Sequence, residues 1–136
     1  MTVSFQKYEC FVENLAEKKH NLGADQLAVA LTLGAPLSTY TQLSDLTEIS
    51  YVNCSTRNIT TSSSSQAGGT YSLVLADLTL TAGGGPVGPF RYVTLYNTVP
   101  AGFELIGFYD YSSEVTMAGT DTFVIDFNPA GAVQIV

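Results

Sequence analysis

With 136 residues, 46% of them hydrophobic and only 12% charged, the chain has the size of one domain and too much apolar material for a disordered one. Five Lys and Arg stand against twelve Asp and Glu, a net charge of -7. That field repels phosphate backbones and anionic lipid, so neither direct nucleic-acid binding nor membrane association is expected. Sixteen Thr and twelve Ser, side chains at home in strands and turns, point to an all-β fold.

In chain order, residues 1–136 read as a single β-sandwich domain with an N-terminal amphipathic helix over 4–22 and a β portion over 26–136. Phe5, Tyr8, Phe11, Val12, Leu15 and Leu22 recur at three- and four-residue steps, with Ser4 as the expected cap and Gly23 as the expected stop. Lys18, Lys19 and His20 then fall in the last turn, which the helix dipole favours, and His20 is read as a C-terminal capping residue. Glu9, Glu13 and Glu17 form an acidic stripe, solvated or facing basic groups on a partner. The stretch from Met1 to Lys7 has no apolar core of the signal-peptide kind, so synthesis in the cytosol is expected.

After Gly23 the period changes to two. Leu27, Val29, Leu31 and Leu33 alternate with Ala28, Ala30 and Thr32, a strand with one greasy face and one small-residue face. A loop from Gly34 to about Leu46 follows, then strands over Glu48–Asn53 and, more weakly, Thr56–Thr61. Ser62–Gly69 reads as a flexible connection. Tyr71, Leu73 and Leu75 change parity to Leu78 and Leu80, predicting a bulge or bend near Asp77. Gly83–Pro89 reads as a loop, followed by strands over Phe90–Tyr96, Phe103–Tyr111, Thr122–Phe127 and Ala132–Val136. About seven or eight short antiparallel strands at this spacing suit a β-sandwich or jelly roll.

Catalytic groups are scarce. His20 is the only histidine and Cys10 and Cys54 are the only cysteines, so His-based triads and multi-His metal sites lack members, and free thiols are expected. Asn53-Cys54-Ser55 and Asn58-Ile59-Thr60 match the glycosylation pattern, which without a secretory signal marks only polar loops. Gly83-x-Gly85-x-x-Gly88 has dinucleotide-fingerprint spacing, but Pro86 and Pro89 and the strand that follows remove the helix N-terminus that motif needs. Asp110, Glu114, Asp121 and Asp126 do not have calcium-loop spacing. No cofactor, no metal and no enzymatic activity are expected. The aromatic density is more telling: Phe90, Tyr92 and Tyr96 on one strand, Phe103, Phe108, Tyr109 and Tyr111 on the next, more than a modest core needs. Phe5, Tyr8, Arg91, Tyr92, Tyr109 and Tyr111 are the candidate interface residues. Arg91 is placed to stack, to fork onto a partner carboxylate, or to pair with Glu104 or Asp110 of its own chain.

Several segments together resemble small structural proteins of tailed-bacteriophage virions. They are His20-Asn21-Leu22-Gly23-Ala24-Asp25 running into Leu27–Thr32, Ala35-Pro36, Leu46-Thr47-Glu48-Ile49, Val87–Tyr92 with Leu95-Tyr96-Asn97, and Leu105–Tyr111. The resemblance covers nearly the whole chain. It implies a decoration or cement protein made in the host cytoplasm and seated on the head exterior of the virion. Its implied partners are the major capsid protein and itself, as a homodimer or homotrimer. The alternative is a tail or fibre component with a carbohydrate- or receptor-binding β-sandwich.

Overall fold

A computed structural model of the chain describes residues 4–136; Met1, Thr2 and Val3, part of the stretch read above for a signal sequence, lie outside the described residues. In chain order its elements are β1 (Phe5–Lys7), α1 (Cys10–Ala16), β2 (Leu27–Thr32), a 3-10 turn (Leu43–Asp45), β3 (Thr61–Ala67), β4 (Thr70–Leu75), β5 (Leu78–Thr81), β6 (Val87–Asn97), β7 (Leu105–Met117), β8 (Thr122–Ile125) and β9 (Val133–Ile135). The strands form sheets of order β1-β7-β6-β2, β3-β4-β9 and β5-β8, with antiparallel pairing throughout. The fold is therefore an all-β antiparallel sandwich with one helix.

The greasy face expected of β2 carries the main core. Leu27, Val29 and Leu31 pack with Val93 and Leu95 of β6 and Ile106 of β7, against Leu73 and Leu75 of β4, Leu80 of β5, Ile125 of β8 and Val133 of β9. The four-stranded sheet thus forms one layer and the two smaller sheets the other. The small-residue face of β2 is covered as well. Ala28 lies opposite Tyr96, Ala30 opposite Thr94 and Thr32 opposite Tyr92, and these rings join Tyr8, Leu105 and Phe108 in a second cluster under Tyr40, Leu43 and Leu46. Small side chains on β2 leave room for rings from β6 and β7, and the segment 34–46 closes over them. Every residue of β2 is buried in consequence.

The expected bend near Asp77 is where the chain leaves β4 for β5 and a different sheet; the Asp77 carboxylate accepts from Phe127 N–H at 3.0 Å. Four expectations need correction. The helix spans only Cys10–Ala16, not 4–22: Phe5–Lys7 instead pairs with β7, and the helix begins at Glu9 with no side-chain cap. Its end is a two-bond cap in which Lys19 N–H bonds Asn14 C=O at 2.8 Å and Lys18 N–H bonds Leu15 C=O at 3.3 Å. Lys18, at φ 67°, takes the left-handed place usually given to glycine. The apolar spacing misled because Phe5 on a strand, Phe11 and Leu15 on a short helix and Leu22 in a loop all pack on the main core, while Tyr8 turns to the second cluster and Val12 is exposed.

The serine run is β3, not a flexible connection, and Gly68 and Gly69, at φ 58° and 87°, make the two-residue hairpin turn into β4. Glu48–Asn53 is not a strand, and of Thr56–Thr61 only Thr61 is, as the first residue of β3. Both segments run beside β2 through single bridges, Thr32–Glu48 and Ala28–Asn58, and a few separate backbone bonds, reinforced by side chains. The Tyr51 hydroxyl accepts from Leu31 N–H at 2.9 Å and donates to Glu48 at 2.7 Å, while Arg57 lies 3.7 Å over the Tyr51 ring and donates to Val29 C=O at 2.7 Å. Finally, Val87–Pro89 belongs to β6 and not to the glycine-rich loop before it.

Candidate functional site

The six candidate interface residues do not share a surface. Tyr8 is fully buried, and Tyr92 and Tyr109 nearly so. Tyr8 and Tyr92 sit in the second cluster, whereas Tyr109, with Phe5 and Tyr111 packed beside it, belongs to the main core on the opposite side of the sheet. The Tyr8 hydroxyl meets Thr94 Oγ1 at 2.9 Å, which satisfies the one polar atom the ring brings inside. Burial pushes the Tyr8 and Tyr109 phenols far above their ordinary range, so both stay neutral. The surplus of rings inferred from composition is absorbed because two faces of one sheet are filled, where the sequence reading counted a single core.

Phe5 and Tyr111 keep partial exposure and each has an internal role. The Phe5 ring stands 5.4 Å from Tyr109 and lies over Gly107, where any Cβ would overlap it. Tyr111 meets Phe123 edge-on at 5.2 Å; burial, with Asp126 nearby, pushes its phenol up to about 12.

Arg91 forks onto Asp110, Nε to Oδ1 at 2.8 Å and Nη2 to Oδ2 at 3.1 Å, one of the two pairings read from the sequence. The register explains what the pair does. Tyr92 lies opposite Asp110 but Phe90 lies opposite Val115, so residues 111–114 bulge out across from Arg91 alone. Asp110 Oδ1 also accepts from Ser112 N–H at 2.8 Å, and Ser112 holds φ 67°. Arg91, then the Ser112 N–H, hold the Asp110 carboxyl below its ordinary range. The fork stabilises a wide bulge that presents Ser112, Ser113 and Glu114 to solvent.

His20 is not a helix cap. It is buried at 5% exposure and its ring packs 5.5 Å from Phe11. Asn97, a residue the sequence reading did not single out, fixes it. Asn97 Oδ1 accepts from Val99 N–H at 3.0 Å, so its NH2 faces Asp25 Oδ2 at 2.7 Å and His20 Nδ1 at 3.1 Å. Nδ1 is then an acceptor, which puts the proton of the neutral ring on Nε2. That Nε2 has no hydrogen-bond partner among the described residues. Burial lowers the His20 pKa, Asp25 pulls it up, and Lys19 lowers it further.

Beside His20 a cavity of about 640 Å³ is lined by Leu15, Lys18, Asn21, Ser64, Tyr71 and Ile135 among others. The Ser64 and Tyr71 hydroxyls bond each other at 2.7 Å. A more apolar groove of about 550 Å³, with Phe5, Val12 and Val136 in its wall, adjoins it across Leu15 and Ile135. On the acidic stripe Glu9 accepts from Ser38 Oγ at 2.8 Å, while Glu13 and Glu17 are exposed. Cys10 and Cys54 are free and half-buried, and burial pushes both thiols up. Among the described residues no three His, Cys, Asp or Glu side chains converge as a metal site would require, and no helix is long and apolar enough to cross a membrane.

Comparison with models of known protein families, with curated proteins and with solved structures finds no match to this chain.

Proposed function

We propose that the chain is a structural protein of a tailed-bacteriophage virion, a decoration or cement protein that binds the major capsid protein between capsomers on the outside of the head. One observation carries this reading. Segments that resemble such proteins, though far apart in the sequence, meet as structural pairs: His20 and Asp25 with Asn97, Arg91 with Asp110, and Leu27–Thr32 alongside the strand that holds Tyr92 and Leu95–Asn97. The residues that carry the resemblance are occupied in holding a framework rigid, which suits a protein whose product is geometry repeated by symmetry. The long hydroxyl-bearing surface of β3 adds contact area without adding to the charge of -7 that each copy brings.

The test is co-sedimentation of the purified chain with expanded heads that lack it. Saturable pelleting with a fixed number of copies per head is expected, and heads that survive heating better once loaded. Pelleting no greater than that of an unrelated acidic protein overturns the reading. The cavity beside His20, with the Tyr71 ring, Ser64, Asn21 and Lys18 in its wall, favours a second reading, a tail or fibre component that binds carbohydrate. Glycan-array binding abolished by Tyr71→Ala would support it over the first.

A further inference from the structure

We infer that β3 is a pairing edge through which two copies of this chain join their three-stranded sheets into one six-stranded sheet across a twofold axis. The argument rests on the backbone. β3 is seven residues long, about 23 Å of extended chain, and among the described residues pairs only with β4. Among the described residues, none of the backbone N–H or C=O groups of 61–67 bonds any group other than those of the hairpin partner. Six of its seven residues are exposed, so the outward row of donors and acceptors is accessible along the strand.

The other strand ends of the sandwich are closed, short or charged, the usual ways of preventing edge pairing. The outer edge of β2 is occupied by Val29 N–H to Arg57 C=O at 3.0 Å, Ile49 N–H to Leu31 C=O at 3.0 Å and Ile59 N–H to Leu27 C=O at 2.9 Å. β5 is bonded by Ser55 at Thr81. β1 and β9 have three residues each, and the four residues of β8 stand between Asp121 and Asp126. β3 has neither proline nor charge, and no charged residue occurs between Arg57 and Asp77.

That last fact selects the occupant. Two copies each carrying -7 repel over most of their surface, and the uncharged hairpin is where they approach at least electrostatic cost. An antiparallel strand is also its own complement under a twofold axis. Centred on Ser64, the pairing sets Ser63 of one copy opposite Ser65 of the other and makes about six backbone bonds. So small a contact gives a dimer that dissociates on dilution, and an array on a shell would raise the effective concentration. This inference specifies the self-association within the proposed function, but its readout is the mass of the free protein, without any head.

The experiment is sedimentation velocity of the full chain at about 100 µM, expected to give twice the 14.5 kDa monomer mass and to fall to the monomer on dilution. In hydrogen exchange the amides of 61–67 should be protected at high concentration and fast at low. Ser63→Lys with Ser65→Lys brings like charges face to face and should weaken the dimer about 100-fold while leaving the melting temperature of the dilute monomer unchanged. Val124→Lys, on exposed β8, should leave the dimer intact. A monomer at that concentration, or a dimer that resists the double lysine variant and yields to Val124→Lys, overturns the inference. A dimer that ignores heads would remove the cement reading and leave the pairing, and a head-binding monomer would do the reverse.

Discussion

The strands β2 and β3 are of nearly equal length and opposite fate. β2, Leu-Ala-Val-Ala-Leu-Thr, is buried at all six positions because the second sheet layer covers its leucine face and the rings beneath segment 34–46 cover its alanine face. β3, Thr-Ser-Ser-Ser-Ser-Gln-Ala, is exposed at all but its first residue and is held by hairpin bonds alone. The contrast teaches that strand formation here does not depend on burial, whereas stability does: the packed layers are the core, and β3 is an accessible arm joined to them through β4.

The largest expected effect lies in the core. Leu95→Ala, at a fully buried position, should cost about 3–4 kcal/mol in urea unfolding, and a loss below about 1 kcal/mol would show that the two regions are not so different. Gly88→Ala comes next. Gly88 holds φ 114°, and a Cβ there would stand 2.6 Å from Val115 C=O, backbone that cannot turn aside, so about 2–3 kcal/mol is expected from the same measurement. Lys18→Gly, at the end of α1, should act in the opposite sense, stabilising by about 1 kcal/mol because the left-handed φ of 67° carries no penalty for glycine. Ser65→Ala on β3 should stay within about 0.5 kcal/mol; a larger change in the dilute monomer would mean the arm is part of the core's cooperative unit.

The pH dependence separates the buried His20 network from the partly exposed Arg91–Asp110 pair. Folding lowers the His20 pKa below the ordinary 6.5, and protonated Nδ1 would face the Asn97 NH2, donor against donor. The unfolded chain therefore takes up a proton that the folded chain refuses, so stability is full above pH 6.5 and falls as pH drops below it. Asp110 is lowered from the ordinary 3.8, so its contribution is present above that value and lost only at more acid pH. Melting temperatures should show both declines, and His20→Gln should remove the first and keep the second. A profile for His20→Gln that still bends below pH 6.5 would move that decline to another group.

The Arg91–Asp110 pair was legible as one of several options for a lone cation among rings, but the bulge it holds was not, since register is set across strands. The role of His20 was misread because its partner Asn97 is 77 positions away, and the Gly68-Gly69 turn signal was present but outweighed by the serines. Sequence alone determined the alternation of β2, the presence of strands at β6 and β7, a bend near Asp77, and the uncharged stretch around β3, all of which are written in neighbouring residues. Tertiary structure decided where the helix stops, which faces are covered, and which strand edge is left open. Local periodicity records which way a side chain points. What covers it depends on chain segments that meet only after folding.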